Sequence, residues 1–284
     1  ADVTIALFSP RPVDYYDPPL VVAEAMKKAN VNVLLTTKSL LHSPACGASM
    51  ELGIPSICMD GGITHDMMTK GAWTADYEEV EKIRAKVISA YRGKTARVTS
   101  EYGTDLTVII EGRARPATYT PGRIPTRAYR RPPPMTLYAS LFPSGEVNVA
   151  PVEGTAEGIA VFDTSVHILG LLREPLKLVV SKGRVADIQG GYQADQLRRL
   201  LEVWGDENAW MFPAELSVGC NPEAIVTGCL REDKVILGSV HMALGMNSDV
   251  GGTVRSKIHL DGVIRKPTLE VDGKVLIERG VLKV

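Results

Sequence analysis

The chain has 284 residues and a mass of 30.7 kDa, with 45% apolar and 23% charged side chains, enough for one large domain or two ordinary ones with a full core. Its 32 Lys and Arg against 33 Asp and Glu leave a formal charge of −1, so no basic field is available to hold a phosphate backbone. No apolar run reaches the roughly 18 residues of a membrane span. The four Cys (Cys46, Cys58, Cys220 and Cys229) form no CxxC pair, which fits reduced thiols in a cytoplasm.

The chain opens ADVTIALFSP with no initiator Met and no leader pattern, as if inside a strand, and this points to a preceding N-terminal segment. VTIALF is a short strand candidate. PPLVVAEAMKKA reads as a helix entered through Pro, VNVLLTT as a second strand and SICMD as a third. TADYEEVEKIRAKVISAYRG is the strongest helix: Val80, Ile83, Val87 and Tyr91 recur at helical spacing, acids crowd its start and Gly93 follows its end. Such alternation implies a parallel α/β layer.

From about residue 97 strands follow strands: TDLTVIIEG, EVNVAPVEG, GIAVFD, LKLVVSKGRVADIQ, KVILGSVHMAL and KPTLEVDGKVLIERG. Asp272-Gly273 is a strong hairpin signal and Lys182-Gly183 a weaker one. One helix interrupts, QADQLRRLLEVW, with Leu197, Leu200, Leu201 and Trp204 on one face. The expectation is an α/β domain over residues 1–97 and a larger, strand-rich α+β domain over 98–284. TPGRIPTRAYRRPPPM holds Pro121, Pro125, Pro132, Pro133 and Pro134 with Arg123, Arg127, Arg130 and Arg131, so it is neither helix nor inner strand. It reads as a solvated connection, as a carboxylate-recognising loop at the rim of a site, or as a subunit contact.

Chemistry concentrates in the second half. Ile258-His259-Leu260-Asp261 is an H-x-D; on a strand both side chains leave the same face, as a structural ion pair or as two metal ligands. His241 interrupts the apolar run SVHMALG 18 residues earlier, as a core histidine or a third ligand, with Gly251-Gly252 able to turn the chain back between them. Glu146 in PSGEV and Glu215 in FPAELSVG are either solvated loop residues or buried carboxylates, which need a partner or a metal. Two Glu, two His and one Asp match the inventory of a two-metal hydrolase, in which a carboxylate bridges ions ~3.5–4 Å apart.

In this order, FPSGEV…AP, AELSVG, H-ALG and H-x-D resemble the aminopeptidase T family of metallo-aminopeptidases over nearly the whole chain. TKGAWTADYEEV and YGTDLTVIIEGR resemble the wider superfamily. The resemblance implies that Glu146, Glu215, His241, His259 and Asp261 are metal ligands, and it suggests a homodimer. The aminopeptidases carry a functional Tyr shortly after the H-ALG histidine, where this chain has Ser248 preceded by Asn247. A second branch of the superfamily, similar to 2,5-dihydroxypyridine 5,6-dioxygenase, opens an aromatic ring with one non-haem iron. Leu40-Leu41-His42-Ser43-Pro44, the stretch of its proposed base, resembles that branch, as do IQGG and NSDVGG. That branch binds iron through a His at the position of Glu215 together with the H-x-D. Carboxylates at both 146 and 215 place the ligand set with the hydrolases, and three of them supply about −3 of charge, suited to two divalent ions.

The leading expectation is therefore a cytoplasmic metallo-hydrolase using zinc, cobalt or manganese to cleave an amide or N-terminal peptide bond. Glu146 is expected to bridge the ions and His42 to move the proton of the attacking water. For His42 the plain alternative is a surface residue beside a helix cap. His65 is a weaker candidate, His167 reads as packing or surface, and Asp163 as support behind the ligands. The alternative function is an iron dioxygenase acting on a small hydroxylated ring. A third reading keeps the scaffold without turnover. The Gly-rich strings lack phosphate-loop spacing and no G-x-S-x-G occurs.

Overall fold

A computed structural model of the chain describes residues 1–113, 139–248 and 250–284. The Pro- and Arg-rich segment at 120–135 lies outside the described residues, as does Asp249 of NSDVGG. The chain forms two compact units. One holds Ala1–Thr69 and the segment that ends at Ser144; the other holds the segment from Lys70 and then Gly145–Val284.

In the first unit, β1 (Asn32–Leu34), β2 (Ser56–Cys58) and β5 (Ala139–Leu141) form a parallel sheet in the order β1-β2-β5, accompanied by α1 (Leu20–Met26) and α2 (Pro44–Glu51). Leu34, Leu40, Met50, Cys58 and Leu141 share its core. Ser43 caps α2 by accepting from the Cys46 amide, and Pro44 takes the first helical position. VTIALF forms no strand. Val3 and Leu7 are 80% and 93% exposed, so no burial offsets the entropy of ordering it.

The second unit opens on α3 (Tyr77–Ala90), followed by β3 (Thr95–Thr99) and β4 (Asp105–Ile109). After β5 come β6 (Glu146–Val149), β7 (Glu157–Phe162), β8 (Ser165–Val166), β9 (Gly170–Leu171), β10 (Leu176–Ser181) and β11 (Arg184–Gln189). Then α4 (Tyr192–Trp204), β12 (Leu216–Gly219), α5 (Leu230–Asp233), β13 (Val240–Gly245), β14 (His259–Ile264), β15 (Thr268–Val271), β16 (Lys274–Glu278) and β17 (Val281–Leu282) complete it. Eight strands pair in the order β11-β10-β7-β4-β3-β15-β16-β17 and six in the order β6-β12-β13-β14-β8-β9, all antiparallel. Lys182-Gly183 and Asp272-Gly273 take positive φ at both positions, the geometry of a tight hairpin turn, as their sequences imply.

The two sheets share one core. Val98, Leu106 and Phe162 of the larger sheet cluster with Val147, Val218, Met242 and Leu260 of the smaller. A Cβ on Gly262 would fall 2.4 Å from the Phe162 ring, so glycine there lets the sheets approach. The units therefore divide at residues 69/70 and 144/145, not at 97. The reason is α3: Val87 and Tyr91 pack into the antiparallel core, and buried Arg84 donates to the Glu146 carbonyl at 2.9 Å.

Candidate metal centre

Strand alternation builds the site. In the six-stranded sheet Glu146 lies opposite Gly219, Asn148 opposite Ser217, and Ser217 opposite His241. Asp261 lies opposite Ala243, and His259 opposite Gly245. Glu215 stands two residues before Ser217, so it shares that face. One face thus carries Glu146, Asn148, Glu215, Ser217, His241, His259 and Asp261. The intervening residues, including Val147, Leu216, Val218, Val240, Met242 and Leu260, turn into the core. Small Ala243 and Gly245 leave room between the polar chains.

All five expected ligands converge, and all five are buried. Among the described residues they form two groups able to hold an ion, Glu146–Glu215–His241 and Glu215–His259–Asp261. Glu215 is common to both, so the shared position belongs to it and not to Glu146. His241 Nε2 lies 3.3 Å from Glu215 Oε1 and 3.6 Å from Glu146 Oε2. His259 Nε2 lies 3.4 Å from Glu215 Oε2 and 3.2 Å from Asp261 Oδ1. Ligands about 2.1 Å from a common ion and about 90–120° apart lie about 3.0–3.6 Å from each other, so these separations suit one.

The hydrogen bonds also fit a metal. His259 Nδ1 donates to the Met246 carbonyl at 2.7 Å and His241 Nδ1 to the Lys234 carbonyl at 3.1 Å. Those bonds turn each Nε2 towards carboxylate oxygens, a contact that either a second ring proton or a metal ion bridges. Asp261 Oδ1 and Glu146 Oε2 are buried and accept no hydrogen bond. Glu215 Oε1 accepts from Asn148 Nδ2 at 3.1 Å and from Ser217 Oγ, which fixes its orientation.

A charged group that sequence reading passed over enters the same pocket. Lys234, buried just after α5, brings its ammonium 3.2 Å from Glu146 Oε2 and 3.5 Å from Asp261 Oδ2. Burial would discharge this lysine, but the Glu146, Asp261 and Glu215 carboxylates outweigh that and raise its pKa above the ordinary range. Burial likewise works against ionised Asp261, and the charge of Lys234 and then His259 overcomes it, holding the carboxyl far below its usual value. Glu215 is also kept ionised against burial, by hydrogen bonds from His241 and His259. Three carboxylates against one ammonium leave −2. The −3 that favoured two ions omitted this lysine.

Residues 17–284 match the model of the family described as 2,5-dihydroxypyridine 5,6-dioxygenase (NicX). The chain belongs to that family. The 2,5-dihydroxypyridine 5,6-dioxygenase of Pseudomonas putida KT2440 is 28% identical over 151 residues, which cover 49% of this chain and 43% of that protein. The match thus spans less than half of the relative's length. The structure of 2,5-dihydroxypyridine dioxygenase from the same organism superposes with a TM-score of 0.74 at 20% identity, over 98% of this chain and 79% of that one. Wild-type AmpT from Thermus thermophilus superposes with a TM-score of 0.61 at 16% identity, over 94% and 80%. Both share the fold. The family match falls on the expected dioxygenase-like branch, and the likeness to AmpT is one of fold.

In this NicX-family chain the loop between β13 and β14 is braced by Glu153. Its Oε1 accepts from Asn247 Nδ2 and the Thr253 amide, both at 2.9 Å, while Oε2 pairs with Arg113. A Cβ on Gly252 would lie 2.1 Å from the Asn247 amide group, so the glycine turn expected there also admits this brace. Burial opposes ionised Glu153, but hydrogen bonds from Thr253 and Asn247 prevail and lower its pKa from 4.5 to about 2. A depressed carboxyl stabilises the fold fully above its unfolded value and loses that contribution as pH falls through the folded one. Between about pH 5 and pH 2 the wild type is expected to lose about 2 kcal/mol more than Glu153→Gln. Urea unfolding of both proteins at the two pH values checks this, and equal losses contradict it.

His42 is half-buried in the first unit, directly before the Ser43 cap, with its ring edge-on to Tyr15 at 4.9 Å. His65 is exposed. The His167 amide donates to the Asp261 carbonyl at 2.8 Å, so its backbone supports β14. Asp163 accepts from Thr164 and from the Arg265 amide at the other end of β14. The four cysteines are free, and no helix among the described residues is long and apolar enough to cross a membrane.

Proposed function

We propose that this protein is a metal-dependent enzyme that opens a small hydroxylated aromatic ring with dioxygen, the alternative rather than the leading expectation from sequence. The match of residues 17–284 to the ring-opening family carries this reading. The buried pocket supports it: Glu215, His259 and Asp261 would hold one divalent ion, and two carboxylates with one imidazole leave coordination positions open. Ferrous iron held there would supply the redox chemistry that activates dioxygen.

The protein's own groups perform the rest. Asn148 and Ser217 hold Glu215 in place, and the Met246 carbonyl fixes the His259 ring. Burial of the carboxylate face excludes bulk water. His42 is proposed as the base that takes the ring hydroxyl proton. His42→Ala is expected to leave metal content unchanged and to lower turnover about 10²–10⁴-fold; unchanged turnover removes His42 from the mechanism.

A hydrolytic reading rests on one observation, the second group Glu146–Glu215–His241, which with the first offers a two-ion set. The two readings part under a simple test. Protein loaded anaerobically with Fe(II) is mixed with 2,5-dihydroxypyridine in an oxygen electrode, and zinc-, cobalt- or manganese-loaded protein is given a leucine anilide. Oxygen uptake matched to ring loss supports the dioxygenase. Anilide cleavage without oxygen uptake contradicts it.

A further inference from the structure

We propose that Lys234 is a resident cation that restricts this pocket to a single divalent ion, its ammonium standing where a second ion would bind. The inference rests on the metal-site part of the proposed function and assigns the ion count to one side chain.

Two half-sites share Glu215, and their donor atoms differ in what already engages them. In the half-site with His241, the Lys234 ammonium donates to Glu146 Oε1 at 3.4 Å and stands 3.2 Å from Oε2 as its ion-pair partner, so it already neutralises that carboxylate. The Glu215 oxygen facing that side is the one that accepts from Asn148 and Ser217. In the half-site with His259, Lys234 approaches only Asp261 Oδ2, at 3.5 Å. Asp261 Oδ1, the oxygen 3.2 Å from His259 Nε2, accepts no hydrogen bond.

Charge leads to the same half-site. The carboxylates and the ammonium together carry −2, which one divalent ion cancels. A second would leave about +2 in a water-poor pocket where like charges repel several-fold more strongly than in water. The ammonium is also tethered: burial, both carboxylates and the adjoining Lys234 carbonyl, which accepts from His241, hold it in register with the site. Lys234 therefore does for Glu146 what a second metal does in a two-ion centre, without the second metal's Lewis acidity.

Isothermal titration of the metal-free chain with Mn(II) tests this. Wild type is expected to bind one equivalent, Lys234→Met two, and Lys234→Arg, which keeps the charge, one. Should Lys234→Met fail to fold, Lys234→Gln carries the same expectation of two, because its amide still bonds the carboxylates without adding charge. Two equivalents in wild type, or one in a folded charge-free variant, overturn the role of Lys234 and leave the metal site standing. No binding by wild type overturns the metal site and this inference with it.

Discussion

The Glu215→Ala variant is expected to retain no divalent ion and no turnover. Glu215 is the only ligand that belongs to both groups, so its removal dismantles each of them. The loss of affinity should exceed the ~10–100-fold typical of deleting a supporting hydrogen bond. That smaller effect is what Ser217→Ala and Asn148→Ala should show, because each only orients Glu215. Glu215→Gln keeps the volume and the bonds from Asn148 and Ser217, and so separates the lost charge from lost packing. Elemental analysis after dialysis against metal decides the matter. Full metal content in Glu215→Ala would remove it from the ligand set.

The second large effect falls on stability. Phe162 is fully buried at the contact of the two sheets, edge-on to Phe212 with ring centroids 6.1 Å apart, and it covers Gly262 of β14. Phe162→Ala should cost about 3–5 kcal/mol, the transfer free energy of the ring plus the cavity it leaves. Metal stoichiometry should survive, since Phe162 touches the core face of the sheet and the ligands leave the other. Gly262→Ala attacks the same contact from the opposite side. Its methyl must push the ring or β14 away, at about 1–3 kcal/mol, and because β14 carries His259 and Asp261 it should weaken metal binding too. Urea unfolding with metal analysis measures both. A loss under about 1 kcal/mol for Phe162→Ala would deny its place in the core.

The five converging side chains were legible in the sequence because each is a polar residue where alternation demands an apolar one. His241 breaks VHMALG, Glu146 opens a strand buried on both faces and Glu215 directly precedes another. The same alternation marks Asn148 and Ser217, each two residues beyond a ligand on the same face, and there the signal went unused. Lys234 was missed because KVILGSVHMAL reads as one strand. In the structure β13 begins only at Val240, and the lysine ends the short α5 turn with its side chain in the pocket. That single residue changes the charge from −3 to −2 and with it the expected number of ions. Helix α2 escaped notice because small side chains such as Ala45, Gly47 and Ala48 draw no apolar stripe; its Ser43 cap and Pro44 were the readable signal. Of the first third's expected strands, VNVLLTT and SICMD contain β1 and β2, and β5 returns from beyond residue 138 to extend their sheet. A pairing that distant in sequence has no local pattern to announce it.

The proposed chemistry requires a cation held by Glu215, His259 and Asp261. Crystals of the chain loaded anaerobically with Fe(II), measured on both sides of the iron absorption edge, test that claim at the atom itself. One anomalous peak within bonding distance of those three side chains, with the Lys234 ammonium beside Glu146, is the predicted result. Density showing those side chains bonded only to one another in metal-loaded, active protein, with the iron elsewhere, would contradict it.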